Sequence, residues 1–143
     1  MCRMRLKKEV SWLFIIAALV GADQVSKYIV ERKFPSLLTF NRGIAFGIFS
    51  NVSSNNILIL ISVLILIYLL YFLFAKNIWL SKAVLILLFS GICANLIDRL
   101  YFGHIRDFID LKYWPSFNLA DSYLVLALLI FTWPYLLGRR AKG

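Results

Sequence analysis

Residues 103–123 read GHIRDFIDLKYWPSFNLADSY, a polar island that carries Asp107, Asp110 and Asp121 between two apolar runs. Each flanking run is long enough to cross a bilayer, which needs about 20 apolar residues. A carboxylate at the edge of a membrane is costly to desolvate, so acids in such a place mark a functional site by default. Solvated helix caps are the ordinary alternative. Asp121 fits that alternative well, since an acid in the first turn after Asn118 suits the helix dipole.

Working outward, the chain resolves into four apolar segments. Downstream lies a span over roughly 119–137, followed by the basic tail Arg139-Arg140-Ala141-Lys142. Upstream, the span over 83–100 carries Ser90, Gly91, Cys93, Ala94, Asn95, Asp98 and Arg99 in its second half. Small residues there permit close helix contact. Asn95 and Arg99, four apart, share a helical face that Asp98 flanks. The segment 57–75 is almost wholly apolar and reads as a lipid-facing supporting helix. The first span, over roughly 10–30, follows the basic start MCRMRLKKE and has no A-x-A cleavage pattern, so it reads as an uncleaved transmembrane helix. Asp23 and Lys27 lie four apart near its far end; the ordinary account is an interfacial ion pair with Lys27 snorkelling to water, yet Asp23 lies deeper than a cap needs to be.

Between the first two spans, residues 31–55 contain Pro35, Gly43 and Gly47, which break helical pattern, and an alternation from Phe40 to Phe49. That pattern predicts short strands at the membrane surface with one apolar face. The fold expected is therefore an all-α membrane protein: one domain over 1–143, with four transmembrane helices and a small extracytoplasmic β-sheet cradle.

Composition agrees. The chain is 62% hydrophobic and only 16% charged, where a soluble domain has about a quarter charged residues. Its net charge of +9 is spread between apolar runs rather than gathered on one face, so nucleic acid is not an expected partner. Nine Lys and Arg fall on the side of the two termini and the 76–82 turn, against seven on the other. The nine lie almost without compensating acids, which places both termini in the cytoplasm. Every acid except Glu9 falls on the opposite side, where the chemistry is expected.

Several reaction classes drop out. Cys2, Cys93 and the single His104 offer no metal-ligand spacing, so neither a metal nor another cofactor is expected. No Ser or Cys nucleophile motif accompanies His104, and no phosphate-binding glycine loop is present. Two carboxylates remain the most economical machine. Held close they resist double ionisation, so one keeps a proton while the other acts as base on a shared water. A transporter that used Asp23, Asp98 and Arg99 as a polar pathway would spread charge through the membrane depth. Here the charge gathers at one edge. A scaffold whose acids are only caps would tolerate Asp→Asn at these positions.

Five segments in order carry a resemblance over the whole chain: Asp23-Gln24-x-x-Lys27, Asn41-Arg42-Gly43-Ile44-Ala45-Phe46-Gly47, Asn95-Leu96-Ile97-Asp98-Arg99, Arg106-Asp107-Phe108-Ile109-Asp110 and Phe117-Asn118-Leu119-Ala120-Asp121-Ser122. Together they make the chain resemble the bacterial lipoprotein signal peptidases (type II signal peptidases). The resemblance implies an aspartyl endopeptidase of the bacterial cytoplasmic (inner) membrane that needs no cofactor. Such an enzyme removes the signal peptide from diacylglyceryl-modified prolipoproteins, cutting before the lipid-modified cysteine. By motif position Asp107 and Asp121 would be the catalytic pair, with Asp110 the rival. Asp23, Lys27, Asn41, Gly43, Asn95, Asp98, Arg99, Asn118 and Ala120 would bind substrate or support the site. Membrane lipids and the lipid-linked precursor are the expected partners of a monomer. Ile44 and Ala94 depart from the small alanine and glycine more usual at their places in the family.

Overall fold

The computed structural model describes the backbone of residues 2–43, 52–75 and 81–137. Helix α1 (Cys2–Lys33) is followed by a 3-10 turn (Pro35–Leu37), strand β1 (Thr39–Asn41), helices α2 (Val52–Phe74) and α3 (Lys82–Phe102), strand β2 (Ile105–Asp107) and helix α4 (Leu119–Leu136). Three stretches, Ser11–Lys33, Asn55–Phe74 and Lys82–Phe102, are long and apolar enough to cross a membrane. The apolar stretch of α4, Leu119–Pro134, is shorter. With 18 residues, α4 is about 27 Å long, just under the roughly 30 Å hydrocarbon core of a bilayer.

Helix α3 is the axis of the molecule. Half of its span is buried (50%), against 17% for α1 and for α2, and it packs against all three other helices. At one end, Ile16 of α1, Leu69 and Leu73 of α2 and Leu85 and Ile86 of α3 form an apolar cluster. Trp12 and Lys82 close that end: the ammonium lies 3.5 Å from the ring centroid and also donates to the Leu73 carbonyl at the end of α2 (3.3 Å). The outer faces of α2 and α4 expose Leu60, Leu64, Ile67, Leu128 and Leu129, a surface that lipid covers and water would not tolerate.

At the other end the contents change from apolar to polar, and close helix approach makes this possible. A Cβ built on Gly91 would lie 2.7 Å from the Ala120 carbonyl and under 3 Å from the Leu124 side chain. The backbone of α4 leaves no room for it, so only glycine lets α3 and α4 meet here. Gly91→Val is expected to destabilise by about 1–3 kcal/mol through overpacking. It is also expected to lower activity, because pushing α4 away separates Asn95 from Asp121. Thermal denaturation in detergent, together with turnover per folded molecule, checks both.

Helix α3 ends at Gly103 (φ 72°), whose N–H donates to the Arg99 carbonyl (3.1 Å). This left-handed cap turns the chain directly into β2. Strand β2 pairs antiparallel with β1, with Thr39 opposite Asp107, Phe40 opposite Arg106 and Asn41 opposite Ile105. Of the cradle expected over 31–55, the described part holds one strand: α1 continues to Lys33, the 3-10 turn and β1 follow, and the partner strand of β1 comes from beyond α3. The remainder of the expected cradle, with Ile44, Gly47 and the 40–49 alternation beyond Gly43, lies outside the described residues.

Past β2 the chain makes a closed excursion. Ile109 and Phe117 exchange backbone hydrogen bonds (2.8 and 3.0 Å), and Asp110 Oδ1 accepts from the Lys112 N–H (2.7 Å) at the tip, where Lys112 takes a left-handed φ of 66°. The excursion returns the chain to Asn118 and the start of α4.

Candidate active site

Helix α4 begins with a reciprocal cap. Asn118 Oδ1 accepts from the Asp121 N–H (3.0 Å), and Asp121 Oδ2 accepts from the Asn118 N–H (3.2 Å). This N-x-x-D pair is the shorter analogue of a capping box. Asp121 therefore is a cap, and also more than one. Its other oxygen, Oδ1, accepts from Asn95 Nδ2 on α3 (2.8 Å). Meanwhile Asn118 Nδ2 donates to Asp107 Oδ1 (2.6 Å) and to Asn95 Oδ1 (3.2 Å). One asparagine thus bridges both aspartates. Asp107 Oδ2 accepts in turn from Asn41 Nδ2 on β1 (3.2 Å), across the non-local strand pair.

Asp107 is 2% exposed. Burial first, and the facing Asp121 carboxylate second, push its pKa up to about 6. Hydrogen bonds from Asn118 and Asn41 and the charge of Lys27 pull the other way without cancelling the rise. Two carboxylates arranged like this retain one proton between them up to about pH 6. Asp110, by contrast, is exposed and occupied by its own turn, facing away from both.

A second layer lies behind the aspartates. Lys27 is fully buried, and its ammonium contacts Asp23 Oδ2 (2.7 Å), Asp98 Oδ2 (3.1 Å) and Asn95 Oδ1 (3.2 Å), one oxygen for each proton. The ordinary alternative, a Lys27 that snorkels to water, does not hold. Two carboxylates from two helices face it, and a buried ammonium with three acceptors has no reason to reach for solvent. Asp23 Oδ1 accepts the Ala120 N–H (2.9 Å), so a residue of α1 satisfies an orphan donor in the first turn of α4. Asp98 does not face the aspartates. It turns toward β2 and accepts from the Arg106 backbone N–H (3.0 Å) and side chain (2.9 Å).

On the open side, Asn41 Oδ1 accepts from the Gly43 N–H (3.1 Å), and the Gly43 carbonyl accepts from Arg99 Nη2 (2.9 Å). Arg99 Nε is buried without a partner among the described residues, and the arginine is drawn electrostatically toward Asp121 and Asp107. An apolar groove of about 390 Å³ opens beside Asp121, lined by Leu111, Trp114, Phe117, Val125 and Leu126. His104 takes no part. It packs edge-on against Phe40 (4.6 Å), and burial, then the charge of Arg42, hold its pKa below the ordinary histidine value.

All eleven residues singled out in the sequence meet at this end of the molecule, in one connected network of hydrogen bonds and ion pairs. Three that were not singled out belong to it as well. Gln24 Nε2 donates to Asp98 Oδ1 and to the Ala94 carbonyl (both 3.1 Å), while Gln24 Oε1 and Glu31 Oε2 accept from Arg106. A signal for two of them was present: Gln24, Lys27 and Glu31 stand at i, i+3 and i+7 on one face of α1.

Residues 15–137 match the model of the family described as Signal peptidase (SPase) II. The chain belongs to the signal peptidase II family. It is 33% identical to a lipoprotein signal peptidase of Moorella thermoacetica, with 92% of this chain and 97% of that one aligned. It is 36% identical to a lipoprotein signal peptidase of Borrelia duttonii, over 85% and 87%. A solved bacterial membrane enzyme superposes with a TM-score of 0.77 at 31% identity, covering 93% of this chain and 92% of that one. This signal peptidase II family member is accordingly a multi-pass membrane protein and a protease, and the site at the polar end of its helices is where its chemistry is sought.

Proposed function

We propose that the protein is an intramembrane aspartyl endopeptidase that removes the signal peptide from diacylglyceryl-modified bacterial prolipoproteins, cleaving before the lipid-modified cysteine. The observation that carries this reading is the bridge of Asn118 between Asp107 and Asp121. It ties two carboxyls from different segments to one side chain, with Asp107 buried.

In this mechanism the dyad shares one proton. The ionised carboxylate takes a proton from a water held between the two, and the resulting hydroxide attacks the scissile carbonyl carbon. The protonated carboxyl hydrogen-bonds the carbonyl oxygen as it becomes an oxyanion. The C–N bond then breaks, the leaving amine takes a proton from the dyad, and the new carboxyl group remains on the signal peptide. Asn118, Asn41 and Asn95 hold the two acids still, so little reorganisation is needed at the moment of reaction. Arg99 Nε, without a partner among the described residues, is a donor left for a substrate carbonyl, and Gly43 lets the β1 segment lie close to the bound chain.

The apolar groove beside Asp121 supports lateral access of a lipid-linked substrate from the bilayer. Exposing its acyl chains to water would cost about 0.8 kcal/mol per CH₂. The protein acts as a monomer in the bacterial cytoplasmic membrane, with both termini in the cytoplasm and the dyad at the extracytoplasmic face.

The test is cleavage by purified protein in lipid or detergent, with the same precursor presented with and without its diacylglyceryl group. The lipidated form should be cut and the unlipidated form cut at least about 100-fold more slowly. Equal rates would remove the lipid from the recognition event. The pH profile follows from Asp107. As pH rises through about 6 the shared proton is lost and the acid disappears, so kcat/KM should decline from there by about tenfold per unit. Bound substrate expels water and favours the neutral form further, so the alkaline limb of kcat should lie at higher pH than that of kcat/KM. A kcat/KM flat from pH 5 to 9 would count against the dyad.

A further inference from the structure

Asp107 stands on a strand of only three residues, in a sheet that has two strands among the described residues. A lone two-stranded ladder is marginally stable at best. The position of this carboxyl must therefore come from elsewhere, and the residue before it supplies the means. Arg106 points to the opposite face of β2 and is 4% exposed. Its Nη1 contacts Glu31 Oε2 on α1 (2.8 Å); its Nη2 contacts Asp98 Oδ1 on α3 (2.9 Å) and Gln24 Oε1 on α1 (3.0 Å). The Phe102 ring covers the guanidinium at 4.2 Å.

We propose that Arg106 is a positioning residue for peptide cleavage: clamped by Glu31, Gln24 and Asp98, it fixes β2 to α1 and α3 and so sets where the Asp107 carboxyl stands relative to Asp121. The proposal rests on the reading of Asp107 as a reacting acid.

Asp98 makes the clamp specific. It lies one turn from Asn95 on α3, and its Oδ2 serves both Lys27 Nζ and the Arg106 backbone N–H. Through Lys27 and Asn95 it fixes Asp121; through Arg106 it fixes Asp107. Both acids are thus referred to a single buried carboxylate, and Arg106 is the arm that reaches Asp107. A planar fork with several donors can hold three partners at once, which a lysine ammonium on a flexible stem does less well.

The test compares wild type, Arg106→Met, Arg106→Lys and Glu31→Gln in lipid. The readouts are kcat and KM on a lipidated precursor, the pH dependence of kcat/KM, and hydrogen exchange of the amides of residues 105–107. Loss of the clamp misplaces a reacting group by a fraction of an ångström to an ångström, an error that can cost about 100-fold in rate. Arg106→Met should therefore lose about 10- to 100-fold in kcat with KM within about twofold, and exchange at 105–107 should accelerate. Arg106→Lys should lie between Met and wild type.

The alkaline limb of kcat/KM should also move down from about pH 6. The groups facing Asp107 are Asp121 from α4, Lys27 from α1 and Arg99 from α3, with Asn41 and Asn118 as hydrogen-bond donors. None of these is removed by the substitution, so admitted water is what changes. A purely structural role would reduce the amount of folded protein and leave kcat per folded molecule and the limb unmoved. That outcome overturns the proposal. Should Arg106→Met fail to fold, Glu31→Gln decides: Glu31 is itself 40% exposed, so the variant should fold, and it should show the same changes at smaller size. An unaltered Glu31→Gln with an unaltered Arg106→Lys overturns it too. If exchange accelerates while Asp107→Asn still cleaves, the clamp stands and the assignment of Asp107 falls.

Discussion

Asp107→Asn and Asp121→Asn are each expected to lower kcat by at least about 10³-fold, while Asp110→Asn stays within about twofold of wild type. General acid–base catalysis contributes about 10²–10⁴-fold for each proton transfer, and the dyad performs two in succession. Asparagine keeps the volume and polarity of the side chain, so packing at Asn118 and Asn41 survives while the proton inventory does not. Neither substitution should lower the melting temperature much. Removing a carboxylate whose charged form burial already disfavours relieves a cost. A folded variant without activity would therefore mark chemistry rather than stability. The double variant should be little worse than either single one, because residues that act as a unit lose their effect together. Among the described residues Asp110 accepts a hydrogen bond from the Lys112 N–H within its own turn, which asparagine also accepts. Retained activity in Asp107→Asn, or loss in Asp110→Asn, would show that the wrong acid had been chosen. Cleavage of a lipidated precursor, followed per folded molecule, reads all four variants.

Lys27→Met is expected to be the most destabilising single change, by about 3–5 kcal/mol, because it strands Asp23 and Asp98 without their shared ammonium in a fully buried site. The value of the ion pair and the cost of breaking it are different quantities. A buried pair replaced in full by apolar groups is often nearly neutral, whereas one deprived of a partner leaves a buried charge unpaired. The triple variant Asp23→Asn, Asp98→Asn, Lys27→Met should accordingly recover part of the stability lost by Lys27→Met alone. It should not recover activity, since Asn95 loses the ammonium that orients it toward Asp121. Unfolding in increasing denaturing detergent, followed by circular dichroism, measures the first effect. A melting curve of Lys27→Met that overlays wild type would show that Asp98 is held by Arg106 and Gln24 alone.

Much of the site was legible before any coordinate. The five short motifs, in that order, contain the eleven candidate residues that meet at the site, and Asn95 and Asp98 already stood on adjacent faces of one helix. For Lys27 the sequence leaves the snorkelling alternative open, because spacing along one helix reveals a partner at i−4 and nothing of a carboxylate from another helix. A lone Asp–Lys pair at a membrane edge does snorkel; a lysine between two acids does not. The partner of β1 was not legible for a similar reason. Alternation in a segment predicts a strand, but the identity of its partner is a property of the folded chain, and here the partner lies beyond two intervening helices.

What the amino-acid order determines by itself is therefore the apolar spans, the polar edge and the residue types assembled there. These follow from local periodicity and from the cost of burying charge in hydrocarbon. Only the tertiary structure decides which donor satisfies which carboxylate. Asn118 bridges the two aspartates, Asp98 anchors the network behind them, and Arg106 holds β2 in place. Each of these contacts joins segments distant in the chain, and in a buried polar site the partner across the helix interface determines whether a charge is stabilised there.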